Sequence, residues 1–359
     1  MGLRHGRDNR LLVWKLGLED EEGMSTVLPV QDEGLLAMHR RRPWLLHALP
    51  VNALNFCAFG DCAARGAELV SGGEADELLV AVPNAVRSEA VDIFHLPSER
   101  RLYTVAGDGS VNTGMVMAVS LFYRADDGLA LVVGFESGHA MVTQMVPGKA
   151  DEDKEERRWQ MLYLSHAHTQ PVLSLDLAPD RAHFLTSSAD ALLAKHPIPA
   201  RPPGPAGARD LPSTPLKVVR TGHAGQQSLQ LRSDGAIFAT AGWDARVRVY
   251  SARSLRELAV LRWHKTGCYA VAFARVGHGH AGHAGHGEEG DGGGDAGDAG
   301  DGGGDGTTIS TAPAAPGARA LIPKLTTLSV KEARIQKVTT AHWLVAGSKD
   351  GKVSLWDIY

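Results

Sequence analysis

Cysteine is scarce in this chain: three in 359 residues, Cys57, Cys62 and Cys268. They are too few and too scattered for a disulfide framework or a zinc site, and they point to a reducing compartment, cytosol or nucleus. Aromatics make up only 6%. No apolar run approaches the roughly 20 residues a membrane helix needs. The opening MGLRHGRDNR is charged throughout, which predicts no secretory signal. Gly6 stands where a myristoylation motif carries a hydroxyl. Concentrated basic charge is lacking as well. The net charge is −4, but seven acids (Glu288, Glu289, Asp291, Asp295, Asp298, Asp301 and Asp305) fall within residues 277–306 with no Lys or Arg among them. Setting those aside leaves the remainder at +3. That is no electrostatic footprint for nucleic acid.

What is present is patterned. Residues 197–215 hold seven of the eighteen prolines and predict a long extended loop. Residues 277–306 are half glycine; with nothing to bury and maximal backbone entropy to lose, this stretch, taken to residue 317, predicts a disordered insert. A charge run, residues 151–158, marks a weaker break. Between these segments the pattern is β. Val247-Arg248-Val249-Tyr250 alternates with period two, and short apolar runs recur, each ending at Gly, Asp, Asn or Ser. Many short strands with turn signals predict an all-β sandwich, barrel or propeller.

A repeat chooses among these. Five turns align on an acid: Asp8, Glu136, Asp190, Asp244 and Asp350, each six residues before Trp14, Val142, His196, Tyr250 and Trp356. In these segments the chain resembles the WD-repeat family, whose blades are four-stranded sheets around a channel. The resemblance implies a network in each blade: a His before the first strand, a Ser or Thr on the second, the turn acid, and an aromatic on the third. The fullest set is His223, Thr240, Asp244 and Tyr250. A second is His168, Thr186 and Asp190, ending at His196. The last blade keeps His264, Asp350 and Trp356 but has Ala346 in place of the hydroxyl. The blade around Glu136 has lost most of its set, and the stretch from Val51 to Pro97 shows none. The spacing predicts one propeller over residues 1–359, seven-bladed in the family and here about five blades plus part of another, with an inter-blade insert at 17–50. The chain is expected to begin at a blade's second strand, as the product of an N-terminal truncation of about one and a half blades.

Enzyme signatures fail on inspection. Gly277-His278-Gly279-His280-Ala281-Gly282 has dinucleotide-loop spacing, but Gly and Asp follow it where a helix must start. Gly347 to Gly351 is one residue short of a phosphate loop, and Val353 stands where its hydroxyl belongs. Ser137 is one place late for a nucleophile elbow. His278, His280, His283 and His286 read as a solvated low-complexity loop rather than a metal site, and no cofactor is expected. Cys57 and Cys268 read as buried packing thiols. Propellers act through their faces, and the residue before each turn acid points to one of them: Arg7, Phe135, Ala189, Trp243 and Lys349. Arg7, Phe135, Trp243 and Lys349 are the candidate partner-binding residues, cations and aromatics being good hot-spot chemistry.

The segments HGRDNRLLVWKL, PWLLHALPVNALNFCAF, TGMVMAVSLF, GHAGQQSLQLRSDGAIFATAGWDARVRVY and HWLVAGSKDGKVSLWDIY carry a closer resemblance, to the ASTRA-associated protein 1 family. That resemblance implies a non-catalytic nuclear scaffold in chromatin regulation or kinase assembly. The implied partners are RuvB-like AAA ATPases, a giant kinase-related subunit and a kinase-maturation co-chaperone, with no direct nucleic acid and no membrane. Two other readings compete. One is a reader of modified histone tails, which needs an aromatic cage. The other is a propeller-based hydrolase or oxidoreductase, against which the failed motifs argue.

Overall fold

The computed structural model describes residues 2–5, 9–17, 20, 43–52, 57–65, 77–107, 109–146, 159–200, 211–274, 329, 331, 334–335 and 341–358. The chain divides into two compact units, Met1–Arg275 with His342–Tyr359, and Val276–Ala341. Every described strand belongs to the first unit. Of the second, only Ser329, Lys331, Arg334, Ile335 and Ala341 are described.

The strands form six antiparallel sheets, each from consecutive strands. The first holds β1 (Gly2–His5), β2 (Arg10–Lys15) and β3 (Trp44–Pro50). The second holds β4 (Gly60–Ala63), β5 (Leu78–Pro83), β6 (Val91–Leu96) and β7 (Arg100–Val105). The third comprises β8 (Val116–Tyr123), β9 (Leu129–Phe135), β10 (His139–Met145) and β11 (Trp159–His166). The fourth comprises β12 (Val172–Leu177), β13 (His183–Ser188), β14 (Leu192–Pro197) and β15 (Lys217–Arg220). The fifth has β16 (Gln226–Leu231), β17 (Ile237–Gly242), β18 (Val247–Ser251) and β19 (Glu257–Leu261). The sixth has β20 (Cys268–Phe273), β21 (Trp343–Ser348) and β22 (Val353–Asp357).

The sheets stack face to face like propeller blades, which explains why their middle strands read as continuous apolar runs. In β9, Leu129, Leu131, Val133 and Phe135 pack on the second sheet, while Ala130 and Val132 pack on the fourth. In β18, Val247 and Val249 face the sixth sheet and Tyr250 faces the fourth. Leu11, Val13 and Leu49 pack on Val80, Val82, Phe94 and Leu96. Each interface thus buries a row of aliphatic side chains, each contributing roughly 1.5–3 kcal/mol.

From the second sheet to the sixth, the first strands of successive sheets lie side by side, and polar side chains satisfy free edges of these strands. The Leu229 amide donates to Ser174 and that of Leu231 to Asp176. One sheet on, the Val271 amide donates to Ser228 and the Phe273 amide to Gln230. Small hydroxyls and amides on inner strands therefore tie blade to blade.

β1 and β2 pair around residue 8, as β13 and β14 pair around Asp190, so β1 corresponds to a blade's second strand. The 17–50 insert is shorter than the sequence predicts. Its last seven residues are β3, paired along β2, because the WLLHALP run supplies a strand after the long connection. Residues 198–216 connect β14 to β15, spanning the proline-rich stretch. The glycine-rich insert falls between β20 and β21, which pair directly. Residues 277–317, the charge run at 151–158, residues 201–210, Arg7 and Asp8 lie outside the described residues.

Candidate functional site

The fourth sheet carries the longest polar network. His168 precedes β12 and turns its Nδ1 to Asp190, 3.2 Å from Oδ1, at the β13–β14 turn. Its Nε2 lies 2.8 Å from Thr186 Oγ1 on β13. Thr186 is also 2.9 Å from Nε2 of His196 on β14, and His196 Nδ1 is 2.9 Å from the Tyr163 hydroxyl on β11 of the preceding sheet. His168, Thr186, His196 and Tyr163 are all buried. One assignment satisfies every atom. The phenol donates to His196, His196 donates to Thr186, Thr186 donates to His168, and His168 donates to the carboxylate. Burial pushes His196 down to about 3, so it stays neutral. Burial alone would raise Asp190, but the hydrogen bond from His168 and the amides of Leu192 and Thr169 hold it below the usual carboxylate range. Sequence reasoning ended this set at His196; the continuation to Tyr163 crosses to another blade, which a repeat pattern does not encode.

The fifth sheet departs from its expected set. His223 makes no side-chain bond to Asp244. The reason is register. Val172 on β12 and Gln226 on β16 both pair with the residue two before their turn acid, Ser188 and Gly242. His168 is four positions before Val172, whereas His223 is only three before Gln226. The ring is therefore displaced by one residue, and Gly222 occupies the ligand position. Arg248 fills the gap. This fully buried guanidinium grips Asp244 through two bonds, 3.1 and 2.6 Å, with Glu257 3.4 Å from its Nε. Burial on its own would raise Asp244, but the Arg248 bonds hold it low. Thr240 Oγ1 faces the Tyr250 phenol, yet neither completes a hydrogen bond of normal geometry. Tyr250 stacks on Phe238 instead, 5.1 Å between centroids.

The sixth sheet keeps its hydroxyl, moved across one rung. Ala346 on β21 pairs with Ser354 on β22, and Ser354 Oγ accepts from Trp356 Nε1 at 2.9 Å and lies 2.8 Å from His264 Nε2. Asp350 sits apart, 3.4 Å from Lys352.

The third and second sheets depart further from the repeat. In the third, Ala140 pairs with Gly134, which centres the turn on Ser137 and not on Glu136. Glu136 is therefore the face residue, exposed there, and Phe135 is the last residue of β9. Phe135 is wholly buried against the second sheet and presents nothing to a partner. In the second sheet, Asn84 caps its own turn, accepting from the Val86 and Arg87 amides and donating to Asp92. Asp92 also accepts from Thr104 at 2.7 Å. Deeper, His95 bridges Glu77 and Ser98 at 2.8 and 2.7 Å. An Asn immediately after a strand-like run, with an Asp eight on, is the signal that the sequence holds.

The remaining face residues gather where the fifth and sixth sheets meet. The Trp243 ring lies on Gly225, whose φ of +71° and absent Cβ make room for it, and its Nε1 donates to Gln227 at 2.9 Å. Trp243 is still 46% exposed. Gly267 sits between the Trp243 backbone and the Tyr269 ring, and its carbonyl accepts from the Lys349 amide. Tyr269 and Lys349 are exposed, and Ala189 is half-buried. Cys57 and Cys268 are buried; burial pushes the Cys57 thiol up, and burial with nearby Asp244 and Asp350 takes Cys268 to about 11. Among the described residues no group of three His, Cys, Asp or Glu side chains is placed to hold a metal ion.

These geometries agree with what the chain is similar to. The family described as WD domain, G-beta repeat matches residues 159–193, 214–251 and 326–357. ASTRA-associated protein 1 of Aspergillus niger is 43% identical over 99% of this chain and 80% of its own length. The Penicillium rubens protein of that name is 45% identical over 99% and 81%. That of Schizosaccharomyces pombe is 31% identical over 75% of each chain.

Proposed function

Because the chain belongs to the ASTRA-associated protein 1 family, we propose that it is a non-catalytic WD-repeat scaffold subunit of the ASTRA assembly, working in the nucleus. The observation that carries this reading is the similarity to proteins of that name along nearly the whole chain. The chemistry is consistent with it. Among the described residues the polar networks lie within blades, where they cross-link strands. The two exposed aromatics at the junction of the fifth and sixth sheets offer a surface for a protein partner. The finer role is chromatin regulation and the assembly of kinase-related giants. Its partners are RuvB-like AAA ATPases, the giant kinase-related subunit and the kinase-maturation co-chaperone; nucleic acid and membrane are not bound directly.

Affinity capture of the tagged chain from its own nuclei, beside a Trp243→Ala/Lys349→Ala double variant, tests this. Recovery of the ATPases and a kinase-like giant, lost in the variant, is the expected result. Recovery of histones alone would favour the histone-tail reader, for which the exposed aromatics also speak. That reader needs a carboxylate free to meet a cation, and Asp244, beside Trp243, is already taken by Arg248.

A further inference from the structure

Charge gathers around the same two aromatics, and it has one sign. The β17–β18 turn, the loop from β19 into β20, and the β21–β22 turn come together at one end of the fifth and sixth sheets. Trp243 N bonds Gly225 O, Lys349 N bonds Gly267 O, and Thr266 bonds Ser348. His264 is held to Ser354 in the same loop. These segments expose Arg262, Lys265, Lys349 and Lys352, and the Arg246 side chain is 42% exposed. Among the described residues, two carboxylates stand against those five cations. Asp244 is neutralised from below by buried Arg248, with Arg246 only loosely on it at 3.8 Å. Asp350 pairs with Lys352 at 3.4 Å. Arg262, Lys265 and Lys349 have no ion pair among the described residues. Among the cations stand three exposed aromatics: Trp243, Tyr269 and Trp263, the last 53% exposed and edge-on to His264.

Resting on the reading that this face binds a protein, we propose that it takes an acidic, extended peptide segment carrying an aromatic or bulky apolar anchor. Trp243 is preorganised by its Gly225 floor and its bond to Gln227, so little rotamer freedom is lost when a side chain packs on it. The unpaired cations supply attraction and register to flanking Asp and Glu residues. A basic or methylated-lysine segment meets five cations and, among the described residues of this face, no free carboxylate, so the face selects against it.

The test is fluorescence anisotropy of the full chain with a short labelled peptide of alternating Glu and Phe, compared with the same peptide carrying Gln for Glu. The proposal expects the Glu peptide to bind at least about tenfold more tightly at low salt, with the preference shrinking as salt screens it. Lys265→Glu/Lys349→Glu removes that preference, while Trp243→Ala weakens both peptides. All three side chains are exposed, and an unchanged melting temperature confirms that the variants fold. Equal binding of the Glu and Gln peptides, or a charge-reversed chain that binds as the parent does, overturns the proposal. So does displacement of the Glu peptide by a single-stranded oligonucleotide at lower concentration than by unlabelled peptide, which would assign the patch to nucleic acid. Equal peptide binding alongside partner capture that Trp243→Ala/Lys349→Ala abolishes would refute the acidic class and leave the scaffold reading standing.

Discussion

At the scale of single residues, two threonines in corresponding positions should behave oppositely. Thr186 sits between His168 and His196 and satisfies a ring nitrogen on each side. Thr186→Val leaves two buried nitrogens without partners, at about 1–3 kcal/mol apiece. Thr240 makes no completed bond, so Thr240→Val removes a buried hydroxyl that was already unpaired and should be neutral or slightly stabilising. Denaturant midpoints of the two variants check this; similar losses would show that the Thr240 hydroxyl is bonded after all. The pH response follows from His196. Its folded value of about 3 lies below the ordinary 6.5, so the unfolded chain binds the extra proton between those limits. Stability is fully present above pH 6.5 and is lost as pH falls toward 3, with a slope of at most about 1.4 kcal/mol per pH unit from this ring. His183, also lowered by burial, adds to the same trend. In His196→Phe the ring's contribution vanishes, so the difference in stability between parent and variant should narrow steadily on acidification from pH 6.5 to 4.5. A constant difference would mean that His196 is charged in the fold.

At the scale of elements, the lesson is one of register. The acids of three turns, Asp190, Asp244 and Asp350, were legible because each sits at a strand-to-strand turn that period-two alternation brackets on both sides. What surrounds them was legible only where the spacing held. His168 keeps four positions to its first strand and reaches Asp190; His264 keeps four as well but turns to Ser354, and His223 keeps three and loses Asp244 to Arg248. Arg248 itself reads in the sequence as the polar member of an alternating strand, and only the two-sided packing of a blade makes that position an interior one. The misplaced Glu136 has the same origin: one residue of slip turned Phe135, a core side chain, into a face residue. Gly225 is where backbone and surface meet. Its φ is +71°, and a Cβ there would fall within 2.1 Å of the Trp243 ring. Gly225→Ala should cost at least about 1 kcal/mol for the backbone alone. It should also lift the indole from its floor, red-shifting the Trp243 fluorescence and weakening any partner that packs on it. An unshifted spectrum would place the ring elsewhere in solution.

At the scale of the molecule, all six sheets follow one plan, yet the chain's first and last sheets are dressed differently from those between. The middle sheets are covered on both faces. In the sixth, Leu344 and Ala346 face the fifth sheet, while among the described residues nothing covers the alternate positions Val353 and Leu355, which stand 61% and 64% exposed. In the first sheet Trp44, at the start of its outer strand, is 76% exposed, with Leu45 and Leu46 beside it. Apolar side chains along a strand face are what a neighbouring blade would bury, and composition alone could not reveal their exposure, since their residue types match those of the core. Left open, such faces favour association between copies of the chain. Leu355→Lys and Trp44→Lys place a charge on each without touching a hydrogen bond or a packed core atom. Each should reduce concentration-dependent association in sedimentation while leaving the melting temperature within about 1 °C, because an exposed side chain contributes little to the fold. A variant that instead melts several degrees lower would show that its face is packed in solution, against further chain or against a second copy, and sedimentation of that variant at rising concentration would separate the two.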